Sequence, residues 1–284
     1  MPDFKTWIGR SEEHHDRVDP ALAARWLTTF DRAAPSNGTM PQGFHWCLCV
    51  PDAPTASLGP DGHPRRETNP GSFLPPVPQL PRRMWASSKV EFVAPVRLGD
   101  VVRRRSTVLA IEAKSGGSGE LLFVNVSHET FAGEALAVRE AQSLVYRAAA
   151  VTDAPLSPPP LGPERFDASA WDAHRLVTPG EALLFRYSAL TFNSHRIHYD
   201  LPYARDVERY RGLVVHGPLT ATLLLDLASR ELGDKALSTF SFRGLSPAIC
   251  GEELHLVMRK TDDAYEMGAF ANDGRQVAIA SSRT

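Results

Sequence analysis

Residues Pro218 to Leu232 read as one helix that is apolar nearly all round, with Leu219, Ala221, Leu223, Leu224, Leu225, Leu227 and Ala228 in a single run. A helix without a polar face cannot lie on a surface and must be enclosed. Its Leu-rich run is far shorter than the ~20 residues a membrane span needs, and Asp226 interrupts it. Protein must therefore do the enclosing. Strand-like runs follow at Leu237–Phe242, Glu253–Thr261, Tyr265–Asn272 and Gln276–Ser281, separated by short turns. One buried helix followed by an antiparallel meander predicts a sheet wrapped around that helix.

The first half carries the same grammar. An amphipathic helix is expected near Pro20–Asp31, and strands at Met84–Phe92, Val101–Glu112, Glu120–Phe131 and Ala135–Tyr146. Pro95-Val-Arg-Leu-Gly99-Asp100 matches Pro247-Ala-Ile-Cys-Gly251-Glu252, each between two strands, and a second glycine turn follows in both halves at Gly133 and Gly274. The first half is longer between its two turns, and the excess reads as a loop, Lys114–Glu120. Between the halves, Ala148 to Asp167 holds Pro155, Pro158, Pro159, Pro160 and Pro163, a density that neither helix nor central strand accepts. The expected organisation is a first unit at 1–147, a Pro-rich linker at 148–167 and a second unit at 168–284. Ala33 to Pro81 is an unusually long irregular stretch, which points to a functional role. Gly43, Phe44, His45, Trp46 and Phe73 are its candidates for lining a ligand pocket, with plain core packing as the alternative.

The chain has 284 residues, 43% of them apolar, and a net charge of -2. That suits a globular protein with a substantial core. Arg103-Arg104-Arg105 is the densest basic run, too short for a nucleic-acid stripe. Cys47, Cys49 and Cys250 have neither disulfide-framework nor zinc spacing and read as buried thiols. Residues 1–10 lack the apolar segment of a secretory signal, so a cytoplasmic location is expected, with neither membrane nor nucleic acid as partner.

Chemistry concentrates between Tyr187 and Ala204. Asn193, His195 and His198 fall within six residues, after an apolar run, Ala182–Leu190, that reads as a strand. Val215-His216-Gly217-Pro218 then opens the apolar helix. Glycine lets backbone approach a ligand, and the first N–H groups of a helix are free donors. The combination suggests an activated water beside an oxyanion site. His195 and His198 could share a metal with a third ligand such as Asp200. However, no zinc-type partner motif stands nearby, and no metal or other cofactor is expected.

Tyr187 to Ala204 resembles the motif of MaoC-like (R)-specific enoyl-CoA hydratases, Tyr-x-x-Leu-Ser-Gly-Asp-x-Asn-Pro-Leu-His-x-Asp, and Val215-His216-Gly217 resembles that family's Val-His-Gly. Thr191 to Asp200 is closer still to the branch of mesaconyl-C4-CoA (3-methylfumaryl-CoA) hydratases, itaconyl-CoA hydratases and mitochondrial 3-hydroxyacyl-thioester dehydratases. So are Asp61-Gly62-His63-Pro64, Phe73-Leu74-Pro75-Pro76 and Pro81-Arg82-Arg83-Met84-Trp85. The resemblance implies an α+β double hotdog, two antiparallel sheets each wrapped around a buried helix, with a substrate-covering, non-catalytic first half. It implies a hydro-lyase acting on an acyl-CoA such as mesaconyl-C4-CoA or itaconyl-CoA, giving citramalyl-CoA, and a homodimer or higher homo-oligomer. A 3-hydroxyacyl-thioester dehydratase of fatty-acid synthesis and a non-catalytic acyl-thioester-binding protein are the alternatives. His198 matches the catalytic histidine. Asn193 replaces the motif's carboxylate and can only orient water. His195 is either a second proton carrier or a structural hydrogen-bonder. Gly217 would supply the oxyanion donor, and Arg196, Tyr199 and His216 would contact substrate, Arg196 by pairing with a free carboxylate. Asp200 is expected to cap the segment after it. Arg82, Arg83 and Lys89 are candidates for the phosphates of CoA.

Overall fold

The computed structural model describes residues 4–65, 72–116, 119–233 and 237–284. The first half contributes β1 (Ser11–Arg17), α1 (Pro20–Thr29), β2 (Arg82–Phe92), β3 (Val101–Gly116), β4 (Gly119–Ala132) and β5 (Ala135–Arg147). From the second half come β6 (Ala173–Val177), α2 (Glu181–Leu190), α3 (Gly217–Leu232), β7 (Thr239–Gly244), β8 (Leu254–Lys260), β9 (Tyr265–Ala271) and β10 (Gln276–Arg283). All pairings are antiparallel, and the strand order is β1-β3-β4-β5-β2-β7-β10-β9-β8-β6. Read outward from the β2–β7 junction, both halves have the same order. The two sheets are thus one continuous surface, joined where Ser87 to Glu91 pair with Arg243 to Thr239. The repeat extends to its turns: Gly99, Gly251, Gly133 and Gly274 all have positive φ, from 58° to 88°, the region glycine favours.

Helix α3 is the enclosed helix. Every residue from Leu219 to Ala228 is buried, including Thr220, Thr222 and Asp226. Asp226 is tolerated because Arg32, Arg175 and Arg230 all pair with it. One apolar core joins α3 to α1 (Trp26, Leu27), to Phe44 and Leu48 of the long irregular stretch, and to Phe240, Phe242, Leu256 and Ala269 of the second-half sheet. The first half holds no helix equivalent to α3 among the described residues. Its shorter α1 is capped by Asp19, whose side chain accepts from the N–H groups of Ala21 and Leu22, with Pro20 opening the helix. A second small core beneath β3 and β4 (Val108, Leu122, Val124, Val126) is covered by Val77 and Leu80.

Three expectations need correction. Glu181–Leu190 is a helix, not a strand. Its buried residues are Leu184, Tyr187 and Leu190, spaced by three as on one helical face, while Phe185 is exposed. The excess at Lys114–Glu120 does not loop out: it lengthens a hairpin, with Lys114 opposite Leu121 and Ser115 opposite Glu120, and its tip, 117–118, lies outside the described residues. Cys250 is half-buried rather than buried, and all three cysteines are free thiols. Among the described residues, no helix is long and apolar enough to cross a membrane.

Leu224 is fully buried at the centre of α3. Leu224→Ala should destabilise the fold by about 2–5 kcal/mol, the usual cost of truncating a core leucine. Urea unfolding read by circular dichroism measures it, and a change below ~1 kcal/mol would mean that the helix is not the enclosed core.

Candidate active site

Helix α2 ends where Thr191 donates to the Tyr187 carbonyl through both N–H (3.0 Å) and Oγ1 (2.8 Å). Phe192 then turns into left-handed backbone at φ 48°, and the Asn193 N–H returns to the Ser188 carbonyl at 2.9 Å. That tight exit delivers Asn193 to the head of a short irregular loop. Its Oδ1 accepts the His195 N–H at 2.9 Å, so this side chain shapes the loop. A single 3-10 turn, Arg196–His198, follows, and the Val214 N–H bonds the Ile197 carbonyl at 2.9 Å. The same Val214 receives the His198 side chain: Nδ1 lies 2.7 Å from its carbonyl oxygen. A carbonyl can only accept, so Nδ1 carries the proton and Nε2 is left as the basic atom.

His198 is stacked on His216, ring centroids 3.5 Å apart, and His195 stands edge-on to His198 at 5.4 Å. All three rings are buried. Burial pushes His198 down from 6.5 to about 4, against the pull of the Val214 carbonyl. Burial, and then the neighbouring imidazoles, hold His195 and His216 well below the usual histidine range. The cluster is therefore neutral at pH 7. His216, as N-cap of α3, bonds Ser188 Oγ through Nε2 at 2.8 Å. The next residue, Gly217, is the first of α3, and its N–H has no intrahelical acceptor.

The first half completes the site. A cavity of about 1260 Å³ is lined by Asn193, His195, His198 and Gly217 from the second half, and by Trp46, His63, Arg83 and Trp85 from the first. Trp85 lies against Gly217, where a Cβ would come within 3.3 Å of the indole. Trp85 is itself held: Nε1 donates to Ser88 Oγ at 2.7 Å, Ser88 donates to Glu140, and Glu140 also accepts from Trp46 Nε1 at 3.0 Å. Burial alone would raise the Glu140 carboxyl, but His45, His128 and Ser88 outweigh it and bring it to about 2. The turn Asp61-Gly62-His63 docks directly on the second-half loop. Ser194 Oγ donates to the Gly62 carbonyl at 2.5 Å, and the Arg196 N–H to the Asp61 carbonyl at 2.9 Å. Gly62 has φ 87°, and a Cβ there would fall 1.9 Å from the Ser194 carbonyl oxygen. Asp61 Oδ2 accepts from His63 Nδ1 at 2.9 Å, and the His63 ring lies 4.1 Å from that of His195.

Asn193, His195, His198, Gly217 and Tyr199 thus share one cavity wall. Arg196 does not. Both Nε (2.9 Å) and Nη2 (2.7 Å) bond Asp200 Oδ2, Nη1 bonds the Pro60 carbonyl at 2.9 Å, and the guanidinium covers the Tyr203 ring. It is a strut between the loop and the first half, with no donor nitrogen left unengaged for a substrate carboxylate. His216 also leaves the wall, since its ring backs His198. Asp200 accepts from the Tyr203 N–H at 3.1 Å, so it caps the segment rather than binding metal. A metal-capable group exists elsewhere: Asp61, His63 and His195 bring one ligand atom each within 4.8 Å of one another. Arg82 is buried in an ion pair with Glu208, and Lys89 is exposed on β2, off the cavity wall. Phe44 belongs to the core and His45 packs beside Glu140, whereas Trp46 and Phe73 line the cavity. Sequence reasoning gave no role to Asp61, His63, Trp85 or Glu140. The Asp-Gly-His-Pro block was the available signal for the first two.

The family profile of the hydroxyacyl-thioester dehydratases type 2 matches residues 43–250. The chain is 40% identical to mesaconyl-C(4)-CoA hydratase of Chloroflexus aurantiacus over 285 aligned residues, covering 98% of this chain and 97% of that protein. It is 25% identical to the mitochondrial hydroxyacyl-thioester dehydratase type 2 of Schizosaccharomyces pombe, covering 78% and 79%. Among solved structures, a MaoC-like dehydratase from Phytophthora capsici superposes with a TM-score of 0.74 at 12% identity, covering 100% of this chain and 98% of that one. A Mycobacterium tuberculosis protein described as a double hotdog superposes at 0.56 and 16%, covering 97% and 95%. The fold is the double hotdog.

The neutral buried histidines set a pH dependence. His198 and His128 stay unprotonated in the fold until about pH 4, whereas in the unfolded chain they titrate near 6.5. Between those values the unfolded state binds more protons, so stability falls as pH drops from 6.5 toward 4. The expected loss is on the order of 2 kcal/mol per such histidine between pH 6.5 and 5. Urea midpoints across pH 5–7.5 test this, and a flat profile would contradict it.

Proposed function

The chain belongs to the hydroxyacyl-thioester dehydratase type 2 family, and from that premise we propose that it is a hydro-lyase that adds water to an enoyl-CoA thioester. One observation carries the reading: a buried, neutral His198, its Nδ1 fixed on the Val214 carbonyl, shares a cavity with Gly217 at the start of α3, whose N–H makes no hydrogen bond among the described residues. Hydration needs a base for water, donors for the enolate oxygen and a proton for the α carbon. His198 Nε2 takes the proton from water. The water oxygen bonds the β carbon, and the π electrons move onto the thioester oxygen, held by the Gly217 N–H with the helix dipole behind it. Asn193, in the same wall, orients the water, and His195, edge-on to His198 in the same cavity, serves as a second proton carrier. The second half, 168–284, carries the loop, and the first half, 1–147, closes over the acyl chain. No step uses a metal.

The proposed substrate is a branched dicarboxylic enoyl-CoA of the mesaconyl-C4-CoA type, giving citramalyl-CoA. Its support is the 40% identity to a mesaconyl-C(4)-CoA hydratase. With Arg196 committed elsewhere, Arg83 is the better reader of the free carboxylate. It lines the cavity, makes no hydrogen bond or ion pair among the described residues, and its charge acts on both Asp61 and His195. A second reading, dehydration of longer 3-hydroxyacyl thioesters, is favoured by the depth of the cavity. It runs past the apolar side chains of Phe73, Val126 and Leu144, surface that a longer acyl chain would cover.

A panel of enoyl-CoA esters, followed by loss of the conjugated thioester absorbance, separates the two readings. Turnover of mesaconyl-C4-CoA well above crotonyl-CoA and long-chain enoyl-CoA supports the first. His198→Ala should lower kcat by about 100-fold or more, and near-normal turnover in a folded variant would refute the assignment. Arg83→Ala should weaken mesaconyl-C4-CoA by about 1.5–3 kcal/mol, the worth of a charged hydrogen bond, and leave crotonyl-CoA nearly unchanged. Equal losses on both would remove Arg83 as the carboxylate reader.

A further inference from the structure

The second-half loop lacks the carboxylate that a two-base site calls for, because Asn193 stands in its place and spends Oδ1 on the His195 N–H. A carboxylate-backed imidazole reaches the same cavity from the other half of the chain. His63 lines the cavity, its Nδ1 is bonded to Asp61 Oδ2 at 2.9 Å, and its ring packs 4.1 Å from His195. The turn that presents it is built for this approach. Gly62 has no tolerance for a Cβ against Ser194, and three hydrogen bonds tie 60–62 to 194–196: Ser194 Oγ to Gly62, the Arg196 N–H to Asp61, and Arg196 Nη1 to Pro60. A turn held this firmly fixes a side chain at the precision that proton transfer demands.

We propose that His63 is a catalytic residue of the hydration, the acid that protonates the α carbon, with Asp61 as its positioning residue. The inference rests on the hydro-lyase reading. In the full step, His198 Nε2 takes one proton from water, the hydroxide oxygen bonds the β carbon, and the enolate re-forms its carbonyl as the α carbon takes a proton from His63. His198 ends protonated and His63 ends neutral. The proton returns by way of His195, whose ring centroid is 4.1 Å from that of His63 and 5.4 Å from that of His198. Asp61 holds the His63 Nδ1–H, so that Nε2 is the exchanging atom. The first half would then supply chemistry as well as cover.

The test uses the full chain with crotonyl-CoA and mesaconyl-C4-CoA as substrates and butyryl-CoA as an unreactive ligand. His63→Gln should lower kcat by about 100-fold or more, as expected for loss of a general acid, with KM and butyryl-CoA affinity within about threefold of wild type. Asp61→Asn should lower kcat by at least about tenfold in the same pattern. In His63→Ala, added imidazole should restore part of the lost turnover. A His63→Gln enzyme with wild-type kcat, a loss confined to KM, or a failure of imidazole to rescue would overturn the proposal. So would activity that disappears on exhaustive chelation and returns with zinc, because Asp61, His63 and His195 would then be ligands. If wild type hydrates none of the enoyl-CoA panel, the functional reading itself fails. If wild type is active and His63→Gln matches it, only this inference fails.

Discussion

Helix α3 has no face to give to water, and the placement of the site follows from that. A curled sheet and helix α1 enclose it: the second-half strands contribute Phe240, Phe242, Leu256 and Ala269, and α1 contributes Trp26 and Leu27. An enclosed helix still has an open N-terminus, whose first N–H groups lack intrahelical partners. Here that end is capped by the backbone of His216 and faced by Trp85 from the other half. Gly217, whose N–H has no acceptor among the described residues, thus lines a cavity formed by both halves. In such a place a hydrogen bond to a developing oxyanion is strongest. The core and the proposed oxyanion donor are two consequences of one burial.

The continuous sheet brings both halves to one cavity. Pairing of β2 with β7 makes the two halves neighbours edge to edge, and β2 is the strand that carries Arg83, Trp85 and Ser88 to the site. The long irregular stretch after α1 then crosses the junction. It buries Phe44 and Leu48 in the shared core and seats the Asp61-Gly62-His63 turn on Ser194 and Arg196. Its length is used at three points rather than left loose, which is the physical content of the expectation that so long a stretch is functional.

What was legible in the sequence tracks what periodicity can encode. The apolar strands, α1, α3 and the glycine turns of the repeat all announce themselves through burial or positive φ. The edge strands do not. β1 reads Ser-Glu-Glu-His-His-Asp-Arg and pairs only with β3, so no face of it carries an apolar alternation. Helix α2 was misread because Ala-Leu-Leu-Phe is an apolar run that suits a strand as well as a helix. Only the three-residue spacing of Leu184, Tyr187 and Leu190 separates the two. The local motif assembled Asn193, His195, His198 and Gly217. It could not show that Arg196 is consumed by Asp200 and Pro60, nor that His63, more than a hundred residues away, stands beside His195, because both facts are tertiary.

Asn193 is the residue that sets the electrostatic character of the site. An aspartate there could accept the same His195 N–H, but it would also place a charge next to two buried imidazoles and favour their protonated forms. With asparagine, burial first and the neighbouring cationic side chains second hold His195 and His216 low, and burial lowers His198 to about 4, so the three remain neutral together. The carboxylate stands instead on Asp61, one imidazole away from His195. There the hydrogen bond and charge of His63 hold it below the usual carboxylate range although burial opposes them. The buried His198 and the carboxylate-backed His63 thus stand in two different electrostatic environments, one on each half of the chain.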